Sequence, residues 1–300
     1  MARRRSWLMG VSLALGVSLA AAQDLPLQVL LTNDDGFEAT GLKAVRTALE
    51  RAGYGVTVVA PLRQQSGSGV RLTLGEITVV DHGHRTWSVD GSPADSASYG
   101  LSRVLAERRP DVVVSGANLG QNLGANTVSS GTLGAAVMAA QLGVPAIAVS
   151  VGLDLAQATL QPVPFPSTVA AYPLAGEFVA RVIARLVEQA EGGPLLPANT
   201  VLNINVPARA ALDIKGVRLA PLGRHGGFRM IYVEQPGQAR VLSTMELDLA
   251  GHAELAADTG WFAQDYITVS VLRVDWNALP ADNAKLGARL GALEKLRPPR

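Results

Sequence analysis

The sequence predicts an α/β fold with a Rossmann-like three-layer core, in which helices cover both faces of a mostly parallel sheet. From residue 27 onwards, short β-branched runs alternate with helical patterns, as in repeated β-α-β units. The run at 111–115 is apolar on both faces, which is typical of a central parallel strand. Hydrophobic residues make up 48% of the 300 residues, so the chain can bury a sizeable core.

Five core strands are predicted from apolar runs that end at turn or breaker residues. The first run leads into a polar turn at 33–36. The second run stops at Pro61 and the fifth at Pro207, because proline has no N–H for a ladder hydrogen bond. In chain order the runs lie at 27–31, 56–60, 111–115, 147–151 and 201–206.

Helices are predicted between these strands from apolar spacing and from capping residues. Leu42, Val45 and Leu49 recur at i, i+3 and i+7, which gives a helix whose apolar stripe can cover the sheet. Ser92 followed by Pro93 is a hydroxyl N-cap with a proline in the first turn, and this helix is expected to reach about residue 109. Further helices are predicted at 130–142, closed by a glycine and a proline, and around 178–186.

The chain is expected to divide into a signal peptide at 1–22, an α/β core at 23–210 that carries the site, and a smaller C-terminal lobe at 211–300. Glycine content and short β runs in the lobe predict a β-hairpin and helical arm, and the run at 267–274 predicts a strand that returns to the core. An amphipathic helix near the end is predicted to serve oligomerisation, although docking onto its own core is an alternative. Its apolar positions are Leu286, Leu290, Leu293 and Leu296.

The first twenty-two residues have the pattern of an export signal. Arg3, Arg4 and Arg5 precede an uncharged apolar run that ends at Ala22, after three small residues. We expect export by the Sec or twin-arginine route with cleavage near Ala22, which gives a periplasmic protein without stable membrane insertion. The alternative is an uncleaved anchor, but the run is short and interrupted compared with the ~20 apolar residues of a membrane span.

Charge and cysteine content exclude several functional classes. The 26 basic and 25 acidic residues give a net charge of +1, and without the three arginines of the signal the charge becomes −2. A near-neutral body argues against a nucleic-acid duplex as a partner bound by bulk electrostatics. The chain has no cysteine, which excludes disulfides, thiolate zinc sites and cysteine nucleophiles.

Polar clusters follow three predicted strands: Asn33–Gly36, Ser66–Gly69, and Asn118 with Asn122. The carboxyl ends of parallel strands share one sheet edge, so these clusters should meet there. Adjacent carboxylates at Asp34 and Asp35 repel each other unless a cation neutralises them. Oxygen ligands suit one hard divalent cation, Mg²⁺ or Mn²⁺. The alternative for 33–36 is an ordinary turn.

A second cluster, Ser129–Thr132, lies where a helix is predicted to begin. Free backbone N–H groups and hydroxyls at such a position form a ready anion site, and a plain N-cap is the alternative. A cation site and an anion site on the same sheet edge together indicate a phosphate ester as the ligand.

Other catalytic motifs are absent from the sequence. It contains no G-x-x-x-x-G-K-[ST] phosphate loop and no G-x-S-x-G nucleophile elbow. The glycine spacing also differs from the G-x-G-x-x-G of dinucleotide sites, since Gly116, Gly120 and Gly124 are each four positions apart. This spacing weakens the hypothesis of a nicotinamide-dependent enzyme. His225 lies in a glycine-rich segment that could approach a substrate, although a surface loop is the favoured interpretation.

These residues resemble the motifs of the survival-protein SurE family of 5′/3′-nucleotidases. The opening segment LLTNDDG, at 30–36, resembles the first motif of that family. Four further segments match in order and spacing: Ala60-Pro61 with Ser66-Gly67, the SGANLGQNLG segment at 115–124, Ser130-Gly131-Thr132, and LNINVP at 202–207.

The resemblance implies a metal-dependent phosphatase that acts on nucleoside monophosphates, with a Rossmann-like core and a homodimer or homotetramer built through C-terminal arms. The metal ligands of the family fall on Asp34, Asp35, Ser66 and Asn118. Its phosphate-contacting loop falls on Ser130, Gly131 and Thr132, and Asn118 is assigned to substrate binding as well. Most members of the family are cytoplasmic, which is the alternative location for this chain.

Several positions depart from the family pattern. Leu62 replaces a common aspartate, Ser129 a tyrosine, Met138 a glutamate and Asp265 a glycine, while Asp258 matches a family acid. These departures concern turnover and nucleotide preference more than the predicted metal ligands.

The sequence therefore predicts phosphomonoester hydrolysis, with Asp34 and Asp35 as the catalytic acids and Asp34 favoured as nucleophile or general base. The divalent cation would polarise a phosphate oxygen, and the N-terminus at Ser130–Thr132 would stabilise charge on the others. The alternative from another class is a non-catalytic exported protein of the same fold that binds nucleotides or phosphate.

Overall fold

The structure, a computed structural model, describes residues 26–160, 165–226, 228–235, 237, 240–247, 254–275 and 277–291. The predicted signal peptide at 1–22 lies outside these residues, as do Leu293 and Leu296 of the predicted terminal helix. None of the helices in the described part of the chain is long and apolar enough to cross a membrane.

The described residues form one nine-stranded sheet and one separate hairpin. The strands of the first half are β1 (Gln28–Thr32), β2 (Gly55–Pro61), β3 (Val79–Asp81), β4 (Thr86–Val89), β5 (Val112–Leu119) and β6 (Ala146–Val151). The strands of the second half are β7 (Thr200–Val206), β8 (Val217–Leu219), β9 (Phe228–Glu234), β10 (Val241–Leu247) and β11 (Ile267–Arg273).

The strand order of the main sheet is β3-β4-β2-β1-β5-β6-β7-β11-β8, and β9 pairs with β10 alone. Neighbours from β4 to β7 in this order all run parallel. Antiparallel pairs occur only towards the two edges of this sheet, between β3 and β4 and between β7 and β11. The predicted α/β fold with a mostly parallel sheet is confirmed.

Helices cover both faces of this sheet, and their bounds are α1 (Thr40–Arg51), α2 (Pro93–Tyr99), α3 (Gly131–Gln141), α4 (Pro166–Gln189), α5 (Asp258–Phe262) and α6 (Pro280–Leu290). Successive side chains of a strand point to opposite faces. Val29 and Leu31 of β1 therefore join the core cluster that contains α1 and α4. Leu30, between them, packs in the cluster that contains Leu133 of α3.

Helix α2 ends earlier than the sequence predicts. Its α-helical part stops at Tyr99, and a π-helical turn follows over Gly100–Val104. In this turn Leu105 N donates a hydrogen bond of 2.9 Å to Gly100 O. A Cβ on Gly100 would lie 2.9 Å from the methyl groups of Leu30, so this turn lies directly on β1. The expected end at about residue 109 was wrong, because the close packing of Gly100 on Leu30 is a tertiary contact that the local pattern of α2 does not contain.

The residues after 210 contribute to the main sheet as well as to a separate hairpin. Strands β8 and β11 lie beside β7 in the sheet, whereas β9 and β10 pair only with each other. Helix α6 buries none of its residues, and the side chains of Leu286 and Leu290 are exposed. The division of the chain into domains at residue 210 stays a prediction.

The parallel order of β2, β1 and β5 places the loops after these strands at one edge of the sheet. The register of β5 against β6 shifts between Ser115 and Asn118, which is a bulge. Gly116 in the bulge has φ +134°, and a Cβ there would lie 2.2 Å from Val149 O. Only glycine fits this close approach. The bulge sets the position of Asn118, which lies within β5 because the strand continues to Leu119 beyond the predicted end at 115.

Candidate active site

The two acids of the predicted site lie in the loop after β1 and are hydrogen-bonded to neighbouring segments. Asp34 is only 2% exposed, and its Oδ1 accepts a hydrogen bond of 2.7 Å from Thr132 Oγ1 on α3. Asp35 Oδ2 accepts one of 2.9 Å from Leu119 N at the end of β5. Gln65 N, in the loop after β2, donates to Asp34 O at 2.7 Å. The loops after β1, β2 and β5 therefore meet at the start of α3.

Part of the first loop is also a tight turn. Asn33 Nδ2 donates to Gly36 O at 2.8 Å, and Gly36 has φ +103°, in the region that favours glycine. Asn33 and Gly36 thus form the turn by a hydrogen bond to each other, whereas the carboxylates of Asp34 and Asp35 accept hydrogen bonds from α3 and β5. The ordinary-turn alternative therefore describes Asn33 and Gly36, and the predicted site concerns the two aspartates between them.

Burial disfavours the charged form of both acids. Burial raises the pKa of the Asp34 carboxyl above its usual value, although hydrogen bonds from the Thr132 hydroxyl and N–H act in the opposite direction. Burial, followed by the charge of Asp34, raises the pKa of Asp35 to about 7. A cation beside the pair would favour the ionised form of both carboxylates.

Asn118 has a buried oxygen without a partner. Asn118 is 6% exposed, and its Nδ2 donates a hydrogen bond of 2.6 Å to Gly120 O. This hydrogen bond fixes the orientation of the side-chain amide. Its Oδ1 is buried and accepts no hydrogen bond from any residue that the structure describes. An orphaned buried carbonyl oxygen costs about 1–3 kcal/mol, and it is a preferred ligand atom for hard cations. The donor set of Asp34, Asp35 and Asn118 therefore fits the divalent ion that the sequence predicts.

The two serines of the loop after β2 differ in their surroundings. Ser66 is exposed, and its Oγ accepts a hydrogen bond of 2.6 Å from Gln64 Nε2. Its role as a metal ligand stays a prediction. Ser68 Oγ, in contrast, is buried and has no hydrogen-bond partner within the described part of the chain. The sequence did not single out Ser68, because two serines alternating with glycines look equivalent until the loop is folded.

The start of α3 faces Asp34 and Ser68. Ser130 is the N-cap of α3, and its Oγ accepts a hydrogen bond of 3.1 Å from Leu133 N. The hydroxyl of Ser130 therefore caps the helix, as the N-cap alternative for this segment expects. At Gly131 the missing side chain lets other side chains approach the helix backbone closely. A Cβ there would lie 2.7 Å from Ser68 Oγ and 2.9 Å from Asp34 Oδ2. A buried carboxylate and a serine hydroxyl therefore pack directly against the N-terminus of α3.

Comparison with known proteins identifies the family of the chain. A sequence model of the family described as Survival protein SurE matches residues 29–227, about two thirds of the chain. This chain belongs to the SurE family. The matched region contains every predicted site residue from Asp34 to Thr132 and ends just before β9.

Proteins that carry the SurE name align with about the same part of this chain. The chain is 39% identical to "5′-nucleotidase SurE" of Carboxydothermus hydrogenoformans over 204 residues, which cover 66% of this chain and 71% of that protein. It is 43% identical to "5′-nucleotidase SurE" of Anaeromyxobacter dehalogenans over 199 residues, covering 66% and 69%. The crystal structure of the SurE protein from Aquifex aeolicus superposes with a TM-score of 0.68 at 29% identity, covering 89% of this chain and 100% of that one.

The departures from the SurE pattern occupy different surroundings. Leu62 is exposed immediately after β2, and Ser129 is exposed immediately before the N-cap. Met138 is buried on α3, in an apolar cluster with alanines of α2, so an apolar side chain suits that position. Asp265 has φ +65°, where glycine is favoured, and its carboxylate pairs with Arg209 at 3.0 Å.

The acid that matches the SurE family near the C-terminus joins two loops. Asp258 is fully buried, and its carboxylate accepts hydrogen bonds from the N–H groups of Gly124 at 2.9 Å, Gly223 at 2.8 Å and Thr259 at 2.8 Å. Burial raises the pKa of this carboxyl, and the three N–H groups oppose the rise. Asp258 therefore holds the segment after β8 against the loop after β5.

His225 lies in the same segment, as a surface loop residue. Its backbone oxygen lies so close to Gly124 that a Cβ there would be 2.0 Å away, and its ring nitrogen Nδ1 is 3.6 Å from Glu254 Oε1. The side chain is exposed, as the favoured interpretation of the sequence expects.

Proposed function

We propose that this SurE-family chain is a divalent-metal-dependent phosphomonoesterase that hydrolyses nucleoside 5′- and/or 3′-monophosphates to nucleoside and phosphate. Relatives that are named 5′-nucleotidases support the nucleotidase class. The observation that carries the proposal is the buried Asn118 Oδ1, which accepts no hydrogen bond from the described residues and lies at the sheet edge that also holds Asp34 and Asp35. The N-terminus of α3, an 11-residue helix, lies beside Asp34 at the same edge, and a helix N-terminus favours an anion.

The proposed cofactor is one Mg²⁺ or Mn²⁺ ion held by Asp34, Asp35, Asn118 and Ser66. The described residues contain no group of three or more histidine, cysteine, aspartate or glutamate side chains that could hold a metal. A site here would therefore combine two carboxylates with neutral oxygens, which suits a hard cation. When bound, such an ion supplies Lewis-acid polarisation of a phosphate oxygen.

The chain's own residues would orient the phosphate. Asp34 Oδ1 accepts the hydrogen bond from the Thr132 hydroxyl, so Oδ2, which lies against Gly131, would be the oxygen that serves as nucleophile or general base. The N-terminus of α3 would stabilise the charge that develops on the phosphate oxygens. Ser68 Oγ, which has no hydrogen-bond partner among the described residues, would be available to donate to the same phosphate.

A substrate panel tests the activity and its metal dependence. The panel contains 5′- and 3′-nucleotides, short polyphosphates and a chromogenic ester, each with and without Mg²⁺ or Mn²⁺. We expect phosphate release from AMP or GMP that EDTA abolishes and that added metal restores. Full activity in excess chelator would refute the metal mechanism. Tight AMP binding without turnover in any metal would favour a non-catalytic binding protein instead.

We also propose that the chain is exported and forms a homodimer or homotetramer. The pattern of residues 1–22 supports export. The exposed apolar side chains of the β9–β10 hairpin support assembly: Met230, Tyr232, Val233, Val241 and Leu242. Native mass spectrometry of protein from the periplasmic fraction should show chains that begin at Gln23, two or four to a particle. Particles of one chain, or chains that retain Met1, would contradict the corresponding half of this proposal.

A further inference from the structure

A buried polar network links strand β7 to the loop after β5. Asn203 and Asn205 of β7 are both fully buried. Asn205 Oδ1 accepts a hydrogen bond of 2.7 Å from Asn122 N, and Asn205 Nδ2 donates to Asn122 O at 3.0 Å. Asn203 Nδ2 donates to the same oxygen at 2.9 Å. One side-chain amide thus satisfies both backbone groups of Asn122, much as a neighbouring strand would.

The network continues from Asn122 to the acid at the site. Asn122 Nδ2 donates to Ser150 Oγ at 2.9 Å and, in a longer contact, to Thr132 Oγ1 at 3.4 Å. Thr132 Oγ1 donates to Asp34 Oδ1 at 2.7 Å. A hydroxyl has a single proton, and Asn122 approaches Thr132 as a donor. The Thr132 proton is therefore directed to Asp34 Oδ1, which leaves Oδ2 facing Gly131.

The loop that carries Asn122 needs this support because its glycines allow the backbone many conformations. Gly120 and Gly124 flank it with φ +113° and +52°, and glycine has more conformations to lose than any other residue. Asn205, in contrast, lies within the sheet, paired with Ser150 on β6 and with Thr268 on β11. A rigid strand thereby holds a glycine-rich loop in one position.

We propose that Asn205 is a positioning residue for the phosphomonoesterase site, which fixes Asn122 and, through it, the orientation of Thr132 and Asp34. Its role is to position other residues, because both ends of its side-chain amide are hydrogen-bonded to the backbone of Asn122. The inference rests on the proposed function for its catalytic consequence, but the clamp on Asn122 can be measured without any activity.

The test compares Asn205→Leu with a matched control, Thr268→Val. Thr268 lies opposite Asn205 on β11 and is equally buried. Its hydroxyl has no hydrogen-bond partner among the described residues, so Thr268→Val removes a polar group without breaking a hydrogen bond seen there. For Asn205→Leu we expect kcat to fall roughly 10–100-fold with KM within threefold, since misplacement of a catalytic group by about 1 Å can cost that much. Thr268→Val should retain kcat within twofold.

Two further measurements separate positioning from a merely structural role. Hydrogen exchange of the peptide at 118–124 should accelerate in Asn205→Leu at temperatures far below its Tm, and should stay unchanged in Thr268→Val. Asn205→Asp keeps the shape and the acceptor for Asn122 N but places a second acceptor oxygen against Asn122 O in a fully buried position, so it should also lower kcat and accelerate exchange. Asn205→Leu with wild-type kcat and wild-type exchange would overturn the proposal. Wild-type protein without turnover would instead refute the proposed function, while the exchange comparison still tests the clamp.

Discussion

Asp34→Asn is expected to lower kcat about 10³-fold while the Tm is unchanged or raised. An amide cannot act as nucleophile or general base, and it carries no charge for a cation. The protein is not expected to lose stability, because burial disfavours the ionised Asp34 carboxylate and a neutral amide removes that cost. The amide oxygen can still accept the hydrogen bond from Thr132. Phosphate release from AMP with Mn²⁺ and thermal melting without metal measure the two effects.

The control for this substitution is Asp90→Asn. Asp90 lies on the surface, where its carboxylate pairs with Arg63 at 2.8 Å, and surface pairs of this kind contribute little. We expect its activity within twofold of wild type and its Tm nearly unchanged. Asp34→Asn with more than a tenth of wild-type activity, or an equal loss in both variants, would remove Asp34 from its catalytic role.

Gly131→Ala is expected to lower activity on the order of 10²-fold and to lower stability by about 1–3 kcal/mol. The new Cβ would lie 2.7 Å from Ser68 Oγ and 2.9 Å from Asp34 Cβ and Oδ2, closer than a Cβ normally approaches, so Asp34 must move away from the start of α3. This shift misplaces the carboxylate that is proposed for catalysis. Measured kcat and thermal melting should show the two effects.

Two other glycines provide the comparison. A Cβ on Gly134, one turn further along α3, would lie 1.9 Å from Gly69 O, a backbone atom that cannot move aside cheaply. Gly134→Ala should therefore cost stability, about 1–3 kcal/mol. Gly287→Ala on α6 meets nothing within 4 Å and should leave activity unchanged and stability equal or slightly higher. If Gly131→Ala retains activity as Gly287→Ala should, catalysis does not depend on the position of Asp34.

Local chemistry accounts for the parts of the fold that the sequence predicts well. Apolar runs and their breakers predict β1, β2 and β5–β7, because strand periodicity and proline act within a few residues. The parallel arrangement then implies that the loops after β1, β2 and β5 share one edge. In the structure Thr132 donates to Asp34 and Leu119 N to Asp35, which places these loops in contact. The catalytic and ligand roles of these residues stay predictions.

Other features required the folded chain. The early end of α2 depends on the contact between Gly100 and Leu30, which the pattern of α2 does not contain. The difference between Ser66 and Ser68 likewise depends on which hydroxyl the loop turns inward. A residue's own neighbours in sequence cannot decide such cases, because burial is a property of the packed loop.

By itself, the sequence determined the alternation of strands and helices, the family, and which polar loops follow which strands, since all of these depend on local patterns. Only the tertiary structure decided which side chains support those loops. Asn205 reaches Asn122 across 83 residues, and Asp258 reaches Gly124 across 134. Such pairs form because β7 lies beside β6 and because the segment after β8 packs on the loop after β5. Strand order and long-range packing, which no local periodicity encodes, set them.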